Sequence, residues 1–150
     1  MNDTKNMQTI LSRVRRAIDN YHMIDDGDRI AVGVSGGKDS LTLLCALHAL
    51  RRFYPKPFSI VPIFLDTALP GLDPSPIRAL CAELGLELVE VPTGIYTIVF
   101  ELRKEKHPCS LCAMLRRGAL HDAALAQGCR KVALGHHFDD AVETLLLNLF

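Results

Sequence analysis

The segment SGGKDS, residues 35–40, combines the residue types that proteins use to bind phosphate groups. Its two adjacent glycines allow the backbone to turn tightly and bring N–H groups close to an anion. Lys38 adds a positive charge, and the hydroxyls of Ser35 and Ser40 can donate hydrogen bonds to phosphate oxygens. Asp39 would repel a bare phosphate, so it indicates a Mg2+ ion between its carboxylate and the phosphates. The segment therefore predicts a polyphosphate site with magnesium.

This segment departs from the best-known phosphate-binding loops. A Walker A loop that used Gly37 and Lys38 would need a glycine at position 32, which is Val32, and Asp39 occupies its Ser/Thr position. The dinucleotide-binding pattern G-x-G-x-x-G is absent as well. The alternative is an ordinary strand-to-helix turn in which Asp39 or Ser40 caps the helix. Two glycines, a lysine and two hydroxyls at one junction favour anion binding.

Cys109 and Cys112 form a C-x-x-C pair. On spacing alone a zinc site, an iron–sulfur cluster, a redox dithiol and two ordinary thiols all stay open, because a pair supplies too few metal ligands. Pro108 and the helical pattern that follows place both sulfurs near a helix N-terminus, where thiolates are stabilised. Arg116 and Arg117 would offset the charge of a cluster, contact RNA phosphate, or form a solvated helix face.

The segment GHHFDD, residues 135–140, closes a predicted strand. The carboxyl ends of strands are where open α/β sheets bind ligands. Asp139 and Asp140 are therefore candidates to hold Mg2+ opposite Lys38. Asp139 could instead cap a final helix with Glu143 in its first turn, and the two roles can coexist.

Strand and helix patterns alternate along the chain and would position these residues. Short apolar runs predict strands, and 3.6-residue periodicity predicts helices. The strands are predicted within residues 28–35, 58–66, 86–92 and 129–135, and the helices at 4–22, 40–53, 76–84 and 111–127, with another beginning at 139 and a short helix or strand within 93–108. This order predicts an α/β fold, a Rossmann-like parallel sheet with helices on both faces, preceded by an N-terminal helix with a basic face.

The composition is that of one soluble globular domain: 150 residues, 49% hydrophobic and 23% charged. Its 17 basic and 17 acidic residues cancel, so any RNA contact must come from a local patch or from sequence not present. Residues 1–16 lack the apolar core of a signal peptide, and no apolar run is long enough to span a membrane. Five cysteines in such a chain favour thiols or metal ligands over disulfides, which predicts a cytoplasmic protein without a membrane partner.

The SGGKDS loop resembles the PP-loop of the N-type ATP pyrophosphatases. From about Met7 to Phe150 the chain resembles the tRNA 2-thiocytidine synthetase family, on an ordered set of motifs: GDRIAVGVSGGKDS, LD at 65–66 with PG at 70–71, CSLCAMLRRGAL, and KVALGHHFDD with ET and LLLNLF. The resemblance implies an adenine nucleotide alpha hydrolase-like fold. We expect an N-terminal helix at 1–25 and an ATP-binding domain at 26–150 that is cut short at its C-terminal end.

The resemblance implies an ATP-dependent tRNA sulfurtransferase. In that family ATP adenylates the C2 oxygen of a pyrimidine, cytidine here, and sulfur then displaces AMP. The implied catalytic residues are Lys38, Asp39 and Asp139. The implied nucleotide-binding residues are Ser35, Gly36, Gly37, Lys38, Asp39, Ser40, Asp66, Gly135 and His136. Magnesium would be held by Asp39, Asp139 and Asp140, and a 4Fe-4S cluster by Cys109 and Cys112, with the family's third cysteine downstream of this chain.

The resemblance also implies partners and leaves alternatives. The partners are tRNA, a sulfur donor such as a cysteine desulfurase or sulfide, and a second copy in a homodimer. Phe138 stands where the family commonly carries arginine, so thiouridine-forming enzymes remain an alternative. An amide-forming adenylating enzyme is disfavoured by the cysteine pair, and an inactive nucleotide-binding fragment is the third alternative. Cys45, Cys81 and Cys129 match no ligand position and are expected to be small buried residues.

Overall fold

The computed structural model describes residues 2–20, 23–35, 38–102, 108–136 and 143–148. Its helices are α1 (Asn2–Asn20), α2 (Lys38–Leu50), α3 (Ser75–Leu84) and α4 (Pro108–Ala126), and a short π-helical segment covers Thr97–Leu102. Its strands are β1 (Asp28–Gly33), β2 (Phe58–Asp66), β3 (Val89–Pro92), β4 (Lys131–His136) and β5 (Glu143–Asn148).

These strands form one sheet in the order β3-β2-β1-β4-β5, with β1 to β4 parallel. Strand β1 lies at the centre, where Ala31 pairs with Val61 of β2 and with Val132 of β4. Its apolar residues are buried because helices cover both faces of a parallel sheet. The predicted α/β fold with a parallel sheet is confirmed.

The prediction of a helix that begins at Asp139 is wrong for residues 143–148, which are the described part of that stretch. Residues Glu143–Asn148 form β5, which runs antiparallel to β4 and pairs Glu143 with His136. A short apolar run such as TLLL does not distinguish a helix from a strand by periodicity. The strand form also provides hydrogen-bonding partners for the outer edge of β4. Glu143 therefore lies in a strand, and Asp139 lies outside the described residues.

Helices pack on both faces of the sheet around two apolar clusters. The larger cluster contains side chains of α1, α2 and α3, including Val14 and Ile18, and the smaller one contains side chains of α4. Helix α1 is thereby fixed to the same core as the sheet, while a domain boundary at residue 25 remains a prediction. Within the described ranges, no helix has the length and hydropathy needed to cross a membrane.

Two of the three cysteines outside the C-x-x-C pair are buried as expected. Cys81 lies in the larger cluster and Cys129 in the smaller one, whereas Cys45 is only partly buried. Burial raises the pKa of the Cys81 and Cys129 thiols, so both remain protonated at neutral pH. Protonated thiols in apolar clusters behave as small apolar groups.

Gly33 ends β1 where α4 and β4 approach the backbone closely. A Cβ at this position would lie 3.0 Å from one methyl carbon of Leu120 and 3.0 Å from one of Leu134. We expect Gly33→Ala to lower the free energy of unfolding by about 1 kcal/mol, because the leucine side chains must shift. Urea denaturation measures this change.

Gly118 provides a matched control, because a Cβ there would meet no atom within 4 Å. Within α4, Gly118→Ala should stabilise the protein by up to about 1 kcal/mol through helix propensity. Equal effects of the two substitutions would contradict the close approach at Gly33.

Candidate nucleotide-binding site

The carboxyl ends of β1, β2 and β4, the first turn of α2 and one face of α4 between Ala113 and Leu120 surround one cavity of about 400 Å³. Pockets of this size accommodate small organic ligands and cofactors. The described residues that line it are Gly33, Val34, Ser35, Ser40, Ile63, Phe64, Leu65, Thr67, Leu69, Leu72, Ala113, Arg116, Arg117, Leu120 and Leu134. Among these lining residues the charged ones are Arg116 and Arg117, so the described wall favours an anionic ligand.

The two serines of the predicted phosphate loop meet at this cavity. The backbone N–H of Ser35 donates to Oγ of Ser40 at 3.1 Å, and the two hydroxyl oxygens lie 3.3 Å apart. Ser40 is buried and lies in the first turn of α2, which begins at Lys38. The positive end of the helix dipole therefore points toward the loop, and the Ser40 hydroxyl ties the ends of the loop together.

The loop that follows β2 forms a second wall. Thr67, Leu69 and Leu72 line the cavity, and the turn is closed by the N–H of Leu72 donating to the carbonyl of Leu69. Oδ1 of Asp66 accepts the N–H of Ala68 at 3.0 Å, and Ala68 has a left-handed φ of 63°. This φ is uncommon for a residue with a side chain. The Asp66 carboxylate thus stabilises the loop conformation.

The third wall is one face of α4. Ala113, Arg116, Arg117 and Leu120 line the cavity at the spacing of one helical face. Cys112 lies one turn before Arg116 and is a partly exposed free thiol. The structure therefore brings the cysteine-bearing end of α4 to the same cavity as the Ser35–Ser40 loop.

The predicted site residues divide into those the structure places and those outside the described residues. Ser35 and Ser40 line the cavity, and Cys112 directly precedes the lining residue Ala113 in α4. Asp66 is exposed at the end of β2, and its neighbours Leu65 and Thr67 line the cavity instead. A second group belongs to described helices and strands by its backbone alone, and its side chains are outside the described part: Lys38, Asp39, Cys109, Gly135 and His136. A third group lies entirely outside the described residues: Gly36, Gly37, Asp139 and Asp140.

Sequence reasoning did not identify the apolar lining residues. Leu69, Leu72 and Leu134 have no chemistry of their own to mark them. Their signal is positional, because Leu69 and Leu72 follow the carboxyl end of a parallel strand and Leu134 lies near the end of β4. For Arg116 and Arg117, the structure favours a role at the cavity over a face exposed only to solvent.

A parallel sheet with a cavity at its carboxyl edge, closed by a hydroxyl-bearing loop at a helix N-terminus, defines an α/β protein of the class that binds nucleotides there. The sequence profile of the PP-loop domain matches residues 6–150. The chain belongs to the PP-loop domain family.

Curated relatives narrow the comparison. A protein of Geotalea daltonii is 49% identical over 142 residues, which cover 94% of this chain and 56% of the relative. A protein of Geobacter metallireducens is 46% identical over 149 residues, which cover 99% of this chain and 58% of the relative. Both are named tRNA-cytidine(32) 2-sulfurtransferase, which confirms the resemblance found from the motifs. The chain spans about half the length of the curated relatives it matches.

Solved structures give the same fold. The U34-tRNA thiolase NcsA of Methanococcus maripaludis, solved with its 4Fe-4S cluster, aligns with a TM-score of 0.73 and 26% identity over 89% of this chain and 45% of its own. The NH3-dependent NAD synthetase of Campylobacter jejuni aligns with a TM-score of 0.52 over 88% of this chain and 56% of its own. At 18% sequence identity, this similarity supports the shared fold and nothing further.

Proposed function

We propose that the chain is the ATP-binding part of a tRNA sulfurtransferase that replaces the C2 oxygen of a cytidine with sulfur. One observation carries this proposal: the phosphate loop and the cysteine-bearing helix face the same cavity. ATP activation and sulfur delivery must occur at the same carbon atom. A protein that only bound a nucleotide would not need a C-x-x-C pair beside it.

The described residues fit ATP in the cavity. The hydroxyls of Ser35 and Ser40 and the N-terminus of α2 would hold the pyrophosphate portion. Apolar side chains of the β2 loop and β4, such as Leu69 and Leu134, would contact the nucleoside and exclude water. Lys38, Asp39 and the glycine pair between residues 35 and 38 remain predicted contributors.

In the first step the C2 oxygen of the base attacks the α-phosphorus of ATP. The bond from this phosphorus to the bridging oxygen breaks, and pyrophosphate leaves with the electron pair. Negative charge grows on the leaving group, where the helix N-terminus and the serine hydroxyls stabilise it. Arg116 and Arg117 provide positive charge on the opposite wall for the adenylate that remains.

In the second step hydrosulfide attacks C2 and AMP departs with the former C2 oxygen. This substitution is redox-neutral, since sulfur enters and leaves the step in its sulfide state. The chain contributes Cys112, which directly precedes the lining residue Ala113, and Cys109 three residues before it in α4. Two thiolates suit part of the ligand set of a 4Fe-4S cluster, which takes three or four. When bound, the cluster would supply the sulfur as a metal-held sulfide.

The remaining partners follow from this proposal. Mg2+ would neutralise the phosphates, with Asp39, Asp139 and Asp140 as its predicted ligands. tRNA is the proposed substrate, a cysteine desulfurase or free sulfide the proposed donor, and a homodimer a proposed assembly. Anaerobic reconstitution of the full-length protein that contains this chain with iron and sulfide, followed by incubation with ATP, Mg2+ and tRNA, tests the function. A thiolated cytidine in the digested tRNA supports it, and ATP binding without pyrophosphate release contradicts it.

Ser40→Ala tests the phosphate loop. The substitution removes both the acceptor of the Ser35 N–H and a hydroxyl that faces the cavity. Hydrogen bonds to charged groups contribute about 1.5–3 kcal/mol, so we expect ATP to bind roughly 10- to 100-fold more weakly. Isothermal titration calorimetry measures the change. The exposed Ser12 of α1 is the matched control, and equal ATP affinities in Ser12→Ala and Ser40→Ala would contradict this role.

A further inference from the structure

Positive charge is concentrated on one surface formed by α1 and the segment after α2. Arg13 and Arg16 are exposed on α1, Arg51 and Arg52 are exposed directly after α2, and Lys56 is partly exposed. We call this set the α1–α2 basic surface. The chain as a whole has no net charge, so this local excess is a specific feature of one face.

Contacts between aromatic and charged groups join the two parts of this surface. The Arg15 guanidinium lies 6.0 Å from the ring centre of Phe53 and 5.8 Å from that of Tyr54. The Tyr54 hydroxyl donates to Oδ1 of Asp19 at 2.8 Å. These contacts hold residues 51–56 against the C-terminal half of α1. The two segments that carry the exposed arginines therefore lie against each other.

The basic groups of this surface are not neutralised within the described part of the chain. The ion pairs of the described residues engage Arg15, Arg78 and Lys131, and none of them engages the members of the α1–α2 basic surface. The nearby carboxylate of Asp19 already pairs with Arg15 and accepts from Tyr54. Burial and the bond to Asp19 raise the pKa of Tyr54 to about 12, so the phenol remains a neutral donor.

A buried histidine lies near Arg51 and Arg52 at the end of α2. His48 is buried, and its Nδ1 has no hydrogen-bond partner. Burial lowers the pKa of His48, and Arg51 and Arg52 lower it further. The imidazole therefore adds no charge of its own at neutral pH, and the surface depends on its arginines.

An exposed aromatic ring lies within this positive field. The side chain of Phe53 is 54% exposed, so its ring is accessible to a ligand. Arginines bind phosphate oxygens bidentately, and exposed rings and guanidinium planes stack on unpaired bases. This combination matches a single-stranded or looped RNA better than an acidic protein surface, which would offer carboxylates but no bases.

We infer that the α1–α2 basic surface binds the phosphodiester backbone of RNA, with Phe53 stacking on a base. The inference rests on the proposed function, since it assigns a docking surface to the tRNA substrate. Helix α2 has 13 residues and spans about 18 Å between the cavity and Arg51. A nucleic acid backbone carries a charge every few ångströms, so phosphates of the same RNA lie within this distance of a base held at the cavity.

Filter binding of an unmodified tRNA transcript over a range of salt concentrations tests this surface. Arg13→Ala with Arg16→Ala, and Arg51→Ala with Arg52→Ala, should each weaken binding roughly tenfold at low salt. Each pair should also reduce the slope of log K against log salt by about 1.5, from the counterions no longer released. Phe53→Ala should weaken binding with no change in slope, because stacking releases no counterion.

Arg78→Ala is the matched control, because Arg78 is exposed but already paired with Glu90. It should leave both the affinity and the slope unchanged. Unaltered tRNA binding in both double variants would overturn the surface while leaving the proposed function intact, because ATP binding is measured separately on the same proteins. Failure of the unsubstituted protein to bind ATP would count against the proposed function instead. Loss of binding to polyglutamate with tRNA binding intact would assign the surface to an acidic protein and overturn the inference.

Discussion

Replacement of Cys112 by serine is expected to reduce tRNA thiolation by at least roughly 100-fold while ATP affinity stays unchanged. Cys112 lies one turn before the lining residue Arg116 in α4, whereas the Ser35–Ser40 loop forms a different wall of the cavity. A serine hydroxyl is a poor ligand for a soft iron centre, and loss of even supporting groups at metal sites costs about 10- to 100-fold. Sulfur delivery and nucleotide binding should therefore separate in this variant.

The measurements are iron content and visible absorbance after anaerobic reconstitution, thiolated nucleoside after tRNA digestion, and ATP binding by calorimetry. Cys45→Ser is the matched control, because Cys45 lies within α2 and is also a partly exposed free thiol. It should retain iron and activity. Full iron content and full thiolation in Cys112→Ser would show that Cys112 is not a ligand of the cluster, and would remove the main support for the sulfur-transfer step.

The central strands could be predicted from sequence because burial on both faces leaves a simple pattern. Strand β2 spans residues 58–66 as predicted, although Pro62 lies inside it. The carbonyl of Ile63 accepts the N–H of Val34, the residue just after β1. Because backbone groups of successive residues in a strand point to opposite sides, the backbone of Pro62 points toward β3. Pairing with β3 begins only at Ile63, and the missing N–H of Pro62 therefore costs no ladder hydrogen bond.

Prediction failed where the result depends on long-range pairing. The outer edge of β4 decides that residues 143–148 form a strand, and nothing local in that apolar run indicates it. At the site, the glycines, serines and cysteines could be recognised in the sequence by their chemistry and spacing. Leu69 and Leu72 could not be recognised in this way, because they become lining residues only when the β2 loop folds over the cavity. Asp66 shows the converse: its carboxylate is conspicuous in the sequence, yet it accepts the N–H of Ala68.

The second large effect concerns the stability of the fold at the amino-terminal ends of the strands, away from the cavity. Nζ of Lys131, at the start of β4, lies 2.6 Å from Oδ2 of Asp28 and 3.2 Å from Oδ2 of Asp25. It also donates to the carbonyl of Met23 at 2.7 Å. The Lys131 side chain is 12% exposed and that of Asp28 is 14% exposed. This cluster ties the segment between α1 and β1 to β4.

Lys131→Met should lower the free energy of unfolding by about 3 kcal/mol, because it leaves the partly buried Asp28 carboxylate without its cation. This loss of stability is at the lower end of the range for breaking a buried ion pair, because the Asp28 carboxylate still accepts a hydrogen bond from the N–H of Asp25. Adding Asp28→Asn to Lys131→Met should restore part of the stability by removing the unpaired charge. Arg78→Ala, which breaks the exposed pair with Glu90, is the control and should cost less.

The pH dependence of this loss checks its cause. Burial alone would lower the pKa of Lys131, but the hydrogen bonds to Asp28 and Asp25 outweigh it and raise the pKa above 10.5. A raised lysine pKa stabilises the folded state fully below the unfolded value, and this contribution disappears as the pH rises through the folded value. The gap between the unsubstituted protein and Lys131→Met in urea denaturation should therefore stay constant from neutral pH to about 10 and narrow above it. A gap that stays constant above pH 10 would show that packing of the lysine stem, and not its charge, stabilises this part of the sheet.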